Sequence, residues 1–523
     1  MMAALQPGSI VAVIGSGAMG SGIAQVAAAA GHTVKLYDTR PDAVAIALAG
    51  IGNIYSKLAD KGKMTGAEAA AARARVHSVA SLADVADAAL VVEAVVEDLD
   101  VKRGLFAELE GIVAHDAILA TNTSSISVTA IGAKLHRPER LVGMHFFNPV
   151  PLMQLVEVIS GVATEAAVAQ TVYDTAASWG KSPVHAKSTP GFIVNRVARP
   201  FYAEAWRLLQ EQAADAPTID VVLREAGGFR MGPFELMDLI GHDVNYSVTR
   251  SVFDAYYGDP RFTPSVLQQE LVNAGYLGRK TGRGLYPYGT DHTPQPVATE
   301  AAQPRPDYVG HSLEAGADGR LTAAMLARFK AQGIDVHTRN STEGHQHREA
   351  PAFHCNGAAI YLTDGRTATA RARDNSHADT VLFDLVLDAA GATRIAVACA
   401  DQCSPAAFHA AVGLFQSAGF AVTRLDDVPG LAVMRTVAML ANEAADAVHQ
   451  GVCSAIAADT AMQKGVNYPR GPLAWADAVG VDHVVTVLEN LAASYGEDRY
   501  RVSPLLRRRQ AAGTAIHAGV LHA

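Results

Sequence analysis

The stretch Leu141 to Ile159 reads L-V-G-M-H-F-F-N-P-V-P-L-M-Q-L-V-E-V-I and sets a histidine and a carboxylate symmetrically about a chain reversal. Two apolar, strand-like runs flank Asn-Pro-Val-Pro, and proline lacks the N–H that a ladder needs, so the chain turns there. Pro151 is the midpoint between His145 and Glu157. Antiparallel pairing about it puts the two side chains opposite each other, with Cβ atoms roughly 4.5–5.5 Å apart. A carboxylate behind an imidazole fixes its tautomer and favours the imidazolium formed when the ring takes a proton, which makes an oriented general base. The competing reading is a polar pair on an exposed hairpin face. The N-terminal sequence weighs between them.

Ile10 to Ile14 is the short apolar run of a buried parallel strand, and it passes directly into Gly15-Ser-Gly-Ala-Met-Gly20, with Gly22 to Ala30 helical after it. This is G-x-G-x-x-G in its working context: the first glycine turns the chain, the second admits a pyrophosphate, and the third lets helix and strand close up. The helix start supplies N–H groups and a positive dipole end for phosphates. Gly15, Gly17, Ala18, Met19 and Gly20 are therefore candidate dinucleotide contacts. A second strand, Val34 to Asp38, ends in an acid near the ~20-residue spacing of a ribose ligand. Asp38 favours NAD over a 2′-phosphorylated cofactor, although Arg40 stands two residues on. Pro41 to Met64 is a long helical pattern whose Ser56, Lys57, Lys61 and Lys63 read as a solvated face. Strand-like runs at Leu90 to Ala94, at Ala117 to Thr121 and in the hairpin alternate with helical patterns such as Val101 to Val113, so the sheet is mostly parallel. Ligands bind beyond the carboxyl ends of such strands, where Glu97, Asn122-Thr-Ser124 and His145 converge.

Pro190 and Gly191 mark a boundary. From there to Tyr288 the periodicity is helical, ending in the basic, glycine-rich Gly278 to Tyr286. Pro190-Gly-Phe-Ile-Val-Asn-Arg196 recurs as Pro429-Gly-Leu-Ala-Val-Met-Arg435, and Gly232 to Gly241 recurs as Gly471 to Gly480. Both pairs, and Gly180 with Gly419, are 239 positions apart, so the helical domain is duplicated. Ahead of the second copy, Thr380 to Ala400 and Gly419 to Thr423 read as strands of a reduced α/β unit without a glycine fingerprint. The offset places Asp384 and Ala396 where His145 and Glu157 stand, and Met434 where Asn195 stands, so the second half has lost the candidate chemistry and is expected to serve packing and dimerisation. The expected architecture is an α/β Rossmann-type N-terminal domain (1–188), an all-α helical domain (189–288), a linker (289–310), a degenerate α/β segment (311–428) and a second helical domain (429–523).

Of the 523 residues, 49% are hydrophobic, enough for several large cores and incompatible with a disordered chain. A net charge of −9 argues against nucleic acid as a partner. Four scattered cysteines make no disulfide framework and read as buried thiols; Cys399 and Cys403 have no second ligand pair beside them, and no metal is required. No charged leader and no apolar run near 18 residues is present, so the expected protein is soluble and cytoplasmic, without a membrane partner.

G-S-G-A-M-G-S-G-I-A-Q, V-V-E-A-V-V-E, T-N-T-S-S, G-M-H-F-F-N-P-V-P, L-V-E-V-I and T-P-G-F-I-V-N-R, in this order, resemble the NAD-dependent (S)-3-hydroxyacyl-CoA dehydrogenase family from Ile10 to about Tyr288. The duplicated helical domain resembles the bacterial branch holding 3-hydroxybutyryl-CoA dehydrogenases and the 3-hydroxyadipyl-CoA dehydrogenase of phenylacetate breakdown. The resemblance implies His145 as catalytic base, Glu157 as its partner, and Ser124 and Asn195 as hydrogen-bond donors to the reacting oxygen. It implies NAD contacts from the glycine loop, Asp38, Glu97, Lys102, Asn148 and Lys280, coenzyme A contacts from Ser56 and Lys63, and a homodimer through the helical domains. The implied reaction is oxidation of a (S)-3-hydroxyacyl-CoA to the 3-oxoacyl-CoA. A dehydrogenase of the same fold acting on a free hydroxy acid, and a nonenzymatic NAD-binding protein, are the alternatives; the intact His145, Glu157, Ser124 and Asn195 set disfavours the latter.

Overall fold

Short runs of Val, Ile, Leu and Ala, too apolar to face water on either side, become the strands of a parallel sheet. The computed structural model describes residues 4–289, 296–312, 319–339 and 349–518. They fall into two compact units, Met1–Arg196 with Gln450–Val466, and Val197–His449 with Asn467–Ala523. In the first, β1 (Ile10–Ile14), β2 (Thr33–Tyr37), β3 (Val76–Ser78), β4 (Leu90–Glu93), β5 (Ile118–Thr121), β6 (Leu141–Phe146), β7 (Leu155–Ser160) and β8 (Ser182–Lys187) form one sheet in the order β3-β2-β1-β4-β5-β6-β7-β8. All neighbours are parallel except β6 and β7, which are antiparallel across the Asn-Pro-Val-Pro turn. Val11, Val13, Leu36, Val92, Val142 and Met144 lie in the core beneath the helices.

Helix Ala18–Ala29 begins inside the glycine motif, four residues before the expected Gly22, because the motif's own N–H groups form its first turn. Gly15 has φ +105°, and a Cβ there would lie 2.4 Å from the Ala94 carbonyl oxygen. At Gly20 a Cβ would lie 1.8 Å from the Gly15 oxygen, whereas at Gly17 it would meet nothing within 4 Å. Turn, close packing and open approach are thus divided among the three glycines. Helix Pro41–Asp60 stops short of the expected Met64, at a turn where Gly62 has φ +66°.

The second unit contains β9 (Gly310–Ser312), β10 (His337–Arg339), β11 (Phe353–Cys355), β12 (Ala358–Leu362), β13 (Thr380–Phe383), β14 (Arg394–Cys399) and β15 (Ala421–Arg424), in the order β10-β9-β11-β12-β13-β14-β15. Only the last three strands were expected; three-residue strands such as β9 to β11 carry no periodic signal. Part of the expected linker, 290–295, lies outside the described residues. The rest is strapped along the sheet edge: Glu300 N–H donates to Val422 O at 2.8 Å, and Gln416 Nε2 donates to the carbonyls of Glu300 and Ala301.

The duplication is visible in the backbone. Left-handed residues recur at the same 239-residue interval: Gly191 and Gly430, Phe192 and Leu431, Gly228 and Asn467, Gly241 and Gly480. The first helix of each copy, Arg199–Gln210 and Val433–His449, pack on each other in the second unit. The next helices are exchanged. Ala216–Glu225, from the first copy, packs on β14, whereas Ala455–Gly465, from the second, packs on β7 and β8 within the first unit. All four cysteines are free, and only Cys355 is fully buried, a correction to the expected buried set. Among the described residues no helix is long and apolar enough to cross a membrane.

Candidate active site

The hairpin register places His145 opposite Glu157. His145 Nδ1 lies 2.7 Å from Glu157 Oε2, and since a carboxylate oxygen only accepts, Nδ1 is the donor; in the neutral ring this leaves the Nε2 lone pair free. Glu157 is fully buried, and its Oε1 accepts from the N–H groups of Ile193 and Val194 at 2.9 and 3.0 Å. His145 is 5% exposed, walled by Phe147 with ring centroids 4.5 Å apart and by the edge of Phe192. Nε2 has no hydrogen-bond partner among the described residues. The hairpin turn, which contains a cis Asn148–Pro149 bond, is tied down by the half-buried ammonium of Lys181, which donates to the carbonyls of Val150 and Met153. Burial pushes the Lys181 pKa down.

The ends of β5 and β6 are drawn together beside the imidazole. Asn122 Oδ1 accepts from Phe146 N–H at 2.8 Å, and Asn195 Nδ2 donates to the Ser124 carbonyl at 3.3 Å. The Thr123 to Ser125 loop is wrapped around one oxygen of Glu97, which accepts from the Thr123 hydroxyl at 2.7 Å and from the N–H groups of Ser124 and Ser125 at 2.9 and 3.0 Å. Burial opposes ionisation of Glu97, but the Thr123 hydroxyl, the Lys102 charge and the Ser124 and Ser125 donors outweigh it and hold its pKa at about 2. Lys102 is 1% exposed; its ammonium lies 2.6 Å from Glu93 and 3.2 Å from Glu97. Glu93 also accepts from the Thr121 hydroxyl at 2.7 Å. Sequence reasoning passed over Glu93, although an acid closing the apolar run Leu-Val-Val-Glu was its signal.

On the other side of the sheet, Asp38 Oδ2 accepts from Ser16 N–H at 2.9 Å and from its hydroxyl at 2.8 Å, and Oδ1 accepts from Arg40 N–H at 3.0 Å. Burial raises the Asp38 pKa, but these donors and the Arg40 charge bring it below the usual range. The helix starting at Ala18 has no side-chain cap, and the space above Gly17 is open. Uncapped N–H groups facing open space, with a carboxylate at the end of the next strand, fit the pyrophosphate and ribose of a dinucleotide. Asn148 is exposed on the hairpin turn. Ser56 is exposed on helix Pro41–Asp60, its hydroxyl donating to Gly52 O at 3.1 Å. Lys63 falls in the turn after that helix, exposed and without a carboxylate partner among the described residues. In the second unit, the Lys280 ammonium lies 2.6 Å from Asp243.

A doubly wound nucleotide sheet with a carboxylate-backed histidine at its strand ends defines a nicotinamide-dependent oxidoreductase acting on an alcohol. Comparison with known proteins narrows this. Residues 10–189 match the 3-hydroxyacyl-CoA dehydrogenase NAD binding domain, 191–288 and 430–518 the 3-hydroxyacyl-CoA dehydrogenase C-terminal domain, and 360–429 the 3-hydroxybutyryl-CoA dehydrogenase reduced Rossmann-fold domain. The chain is 44% identical to the 3-hydroxyadipyl-CoA dehydrogenase of Escherichia coli K12, over 95% of this chain and 97% of that one. It is 42% identical to a probable 3-hydroxybutyryl-CoA dehydrogenase of Deinococcus radiodurans, over 53% of this chain and 99% of that one. The crystal structure of 3-hydroxybutyryl-CoA dehydrogenase from E. coli K12 superposes with a TM-score of 0.87 at 42% identity, covering 97% of this chain and 99% of that one. The chain belongs to the 3-hydroxyacyl-CoA dehydrogenase family: it is an NAD-dependent enzyme that oxidises a (S)-3-hydroxyacyl-CoA to the 3-oxoacyl-CoA.

Proposed function

We propose that His145 is the general base of this oxidation and Glu157 its positioning partner. The observation that carries the reading is the 2.7 Å contact from Nδ1 to Glu157, which leaves Nε2 as the basic nitrogen. Nε2 takes the proton of the 3-hydroxyl, and Glu157 stabilises the imidazolium that results. Bound NAD supplies the hydride acceptor. Ser124 and Asn195 donate to the substrate oxygen as charge develops on it, adding electrostatic stabilisation. The Gly15 to Gly20 loop, Asp38, Glu97, Lys102, Asn148 and Lys280 are assigned to NAD, with Lys102 acting from behind Glu97. Ser56 and Lys63 are assigned to the coenzyme A moiety.

General base catalysis is worth roughly 10²–10⁴ in rate. His145→Gln is therefore expected to lower kcat by about a thousandfold while NAD still binds, as read by stopped-flow turnover and fluorescence titration. A variant that turns over at the wild-type rate would refute the assignment.

The two full-length relatives bear names with different acyl chains. Both relatives match the second half as well as the first, so 3-hydroxyadipyl-CoA and 3-hydroxybutyryl-CoA stand as the two proposed substrates. Relative kcat/KM on the two esters tests the choice. A place in aromatic-acid or fatty-acid catabolism, cytoplasmic location and a homodimer through the helical domains complete the proposal. Sedimentation equilibrium tests the last, since the Arg199–Gln210 helix already pairs with Val433–His449 of its own chain.

A further inference from the structure

Glu93 is a buried acid to which the proposed chemistry gives no task. It closes β4 in register with Ile14 of β1 on one side and Thr121 of β5 on the other. The chain order of the sheet reverses between β1 and β4, and the crevice outside the carboxyl ends at that point is where such sheets bind their ligands. Ala94, the next residue, carries the carbonyl against which Gly15 of the glycine loop is packed. Glu93 therefore stands at the floor of the dinucleotide crevice.

Its carboxylate is fully buried and fully engaged. Oε1 accepts from the Lys102 ammonium at 2.6 Å and from Val95 N–H at 2.8 Å, while Oε2 accepts from the Thr121 hydroxyl at 2.7 Å. Lys102 reaches on to Glu97 at 3.2 Å. A buried ion pair contributes little net stability, because the cost of desolvating two charges offsets their attraction, so stability alone is a weak reason for this one. The charge count supplies a better reason. Two carboxylates flank one ammonium, and among the described residues no other cation lies within ion-pair distance of either acid. Glu97 with Lys102 alone would be neutral; Glu93 makes the cluster net negative by one charge. In a pocket shielded from water that charge is felt further than it would be at the surface.

The two forms of the cofactor differ in the charge that such a cluster meets. The nicotinamide ring is cationic in NAD and neutral in NADH. We propose that Glu93 is a specificity-determining residue that makes the crevice hold the oxidised nicotinamide more tightly than the reduced one, by supplying the uncompensated negative charge of the Glu93–Lys102–Glu97 cluster. A firm hold on NAD and an easier release of NADH suit the oxidation of an alcohol. The proposal rests on the assignment of Glu97 and Lys102 to NAD and adds to it the group that decides which redox form is preferred.

The test is isothermal titration calorimetry of NAD and of NADH on the full chain, in wild type, Glu93→Gln and Glu93→Gln/Lys102→Met. Glutamine keeps the shape and an oxygen acceptor for Lys102 and Val95 but removes the charge. Glu93→Gln should lower the ratio of the NADH to the NAD dissociation constant by roughly tenfold, the order of one unit charge acting at the effective dielectric of a protein. The double variant leaves Glu97 as the charge of the cluster, which is again net negative by one, so the ratio should return to the wild-type value. A merely structural ion pair would weaken both nucleotides together and leave the ratio unmoved. A ratio unchanged in Glu93→Gln, or a ratio in the double variant that differs from wild type, overturns the proposal. The double variant buries no lone charge, so it keeps the charge count testable even where Glu93→Gln is too unstable to titrate. A wild type that binds neither nucleotide would instead overturn the placement of NAD in this crevice.

Discussion

In the first unit, Glu157 on β7 accepts the N–H groups of Ile193 and Val194. In the second, Asp384, just beyond β13, accepts those of Ala432 and Val433 at 2.9 and 2.7 Å, the same turn 239 positions later, and those of Met434 and Leu385 as well. The turn after Pro-Gly is the same in both copies, with Phe192 and Leu431 both left-handed, and both bury a carboxylate beneath its N–H groups. The carboxylate, however, comes from opposite sides of the hairpin register. Asp384 occupies the place of His145, and Ala396 that of Glu157. When the β6-equivalent strand supplies the acid, the histidine position is used up and the socket is only a support. When β7 supplies it, one oxygen holds the turn and the other is left to orient an imidazole. The proposed base of the first unit thus makes a second use of a structural carboxylate.

Matched substitutions should separate the two uses. Glu157→Gln keeps an oxygen for the turn but presents an NH₂ to Nδ1, which forces the ring proton onto Nε2 and removes the base. A loss of roughly 10²–10⁴ in kcat, with little change in melting temperature, is expected. If kcat stayed within a few fold of wild type, the orienting use would be wrong. Asp384→Ala deprives four N–H groups of their acceptor and should cost roughly 4 kcal/mol of stability. Denaturant titration measures that loss, while kcat per folded molecule should be preserved. A drop in kcat without a drop in stability would mean that the second socket takes part in turnover.

The smallest effect is in pH. Burial pushes the Asp384 pKa up to about 6, against the pull of the N–H groups of Met434, Val433, Leu385 and Ala432. With the folded value above the usual carboxylate value, its favourable contribution is complete below about pH 4 and is lost as pH rises through 6. Wild-type stability should therefore decline between pH 4 and 7 relative to Asp384→Asn, by at most about 3 kcal/mol. Parallel stability curves for the two proteins would show that Asp384 does not titrate in this range.

Much of the site was legible in the sequence because its signals are local. The prolines at 149 and 151 set the turn, and equal distance from Pro151 then placed His145 against Glu157. The glycine fingerprint announced a helix with an open N-terminal face, though not its first residue, and the 239-residue interval exposed the duplication. Proline and glycine act over a few residues, so a short window carries them.

What the tertiary structure decided are pairings between distant residues. Lys102 lies on a helix whose sequence gives no hint that its ammonium is sealed between Glu93 and Glu97. Helix Ala455–Gly465 has an apolar face in the sequence, but only packing sends it to β7 and β8 of the first unit instead of the sheet that precedes it in the chain. Periodicity states that a face will be buried; which surface buries it depends on shape and charge brought together over hundreds of residues.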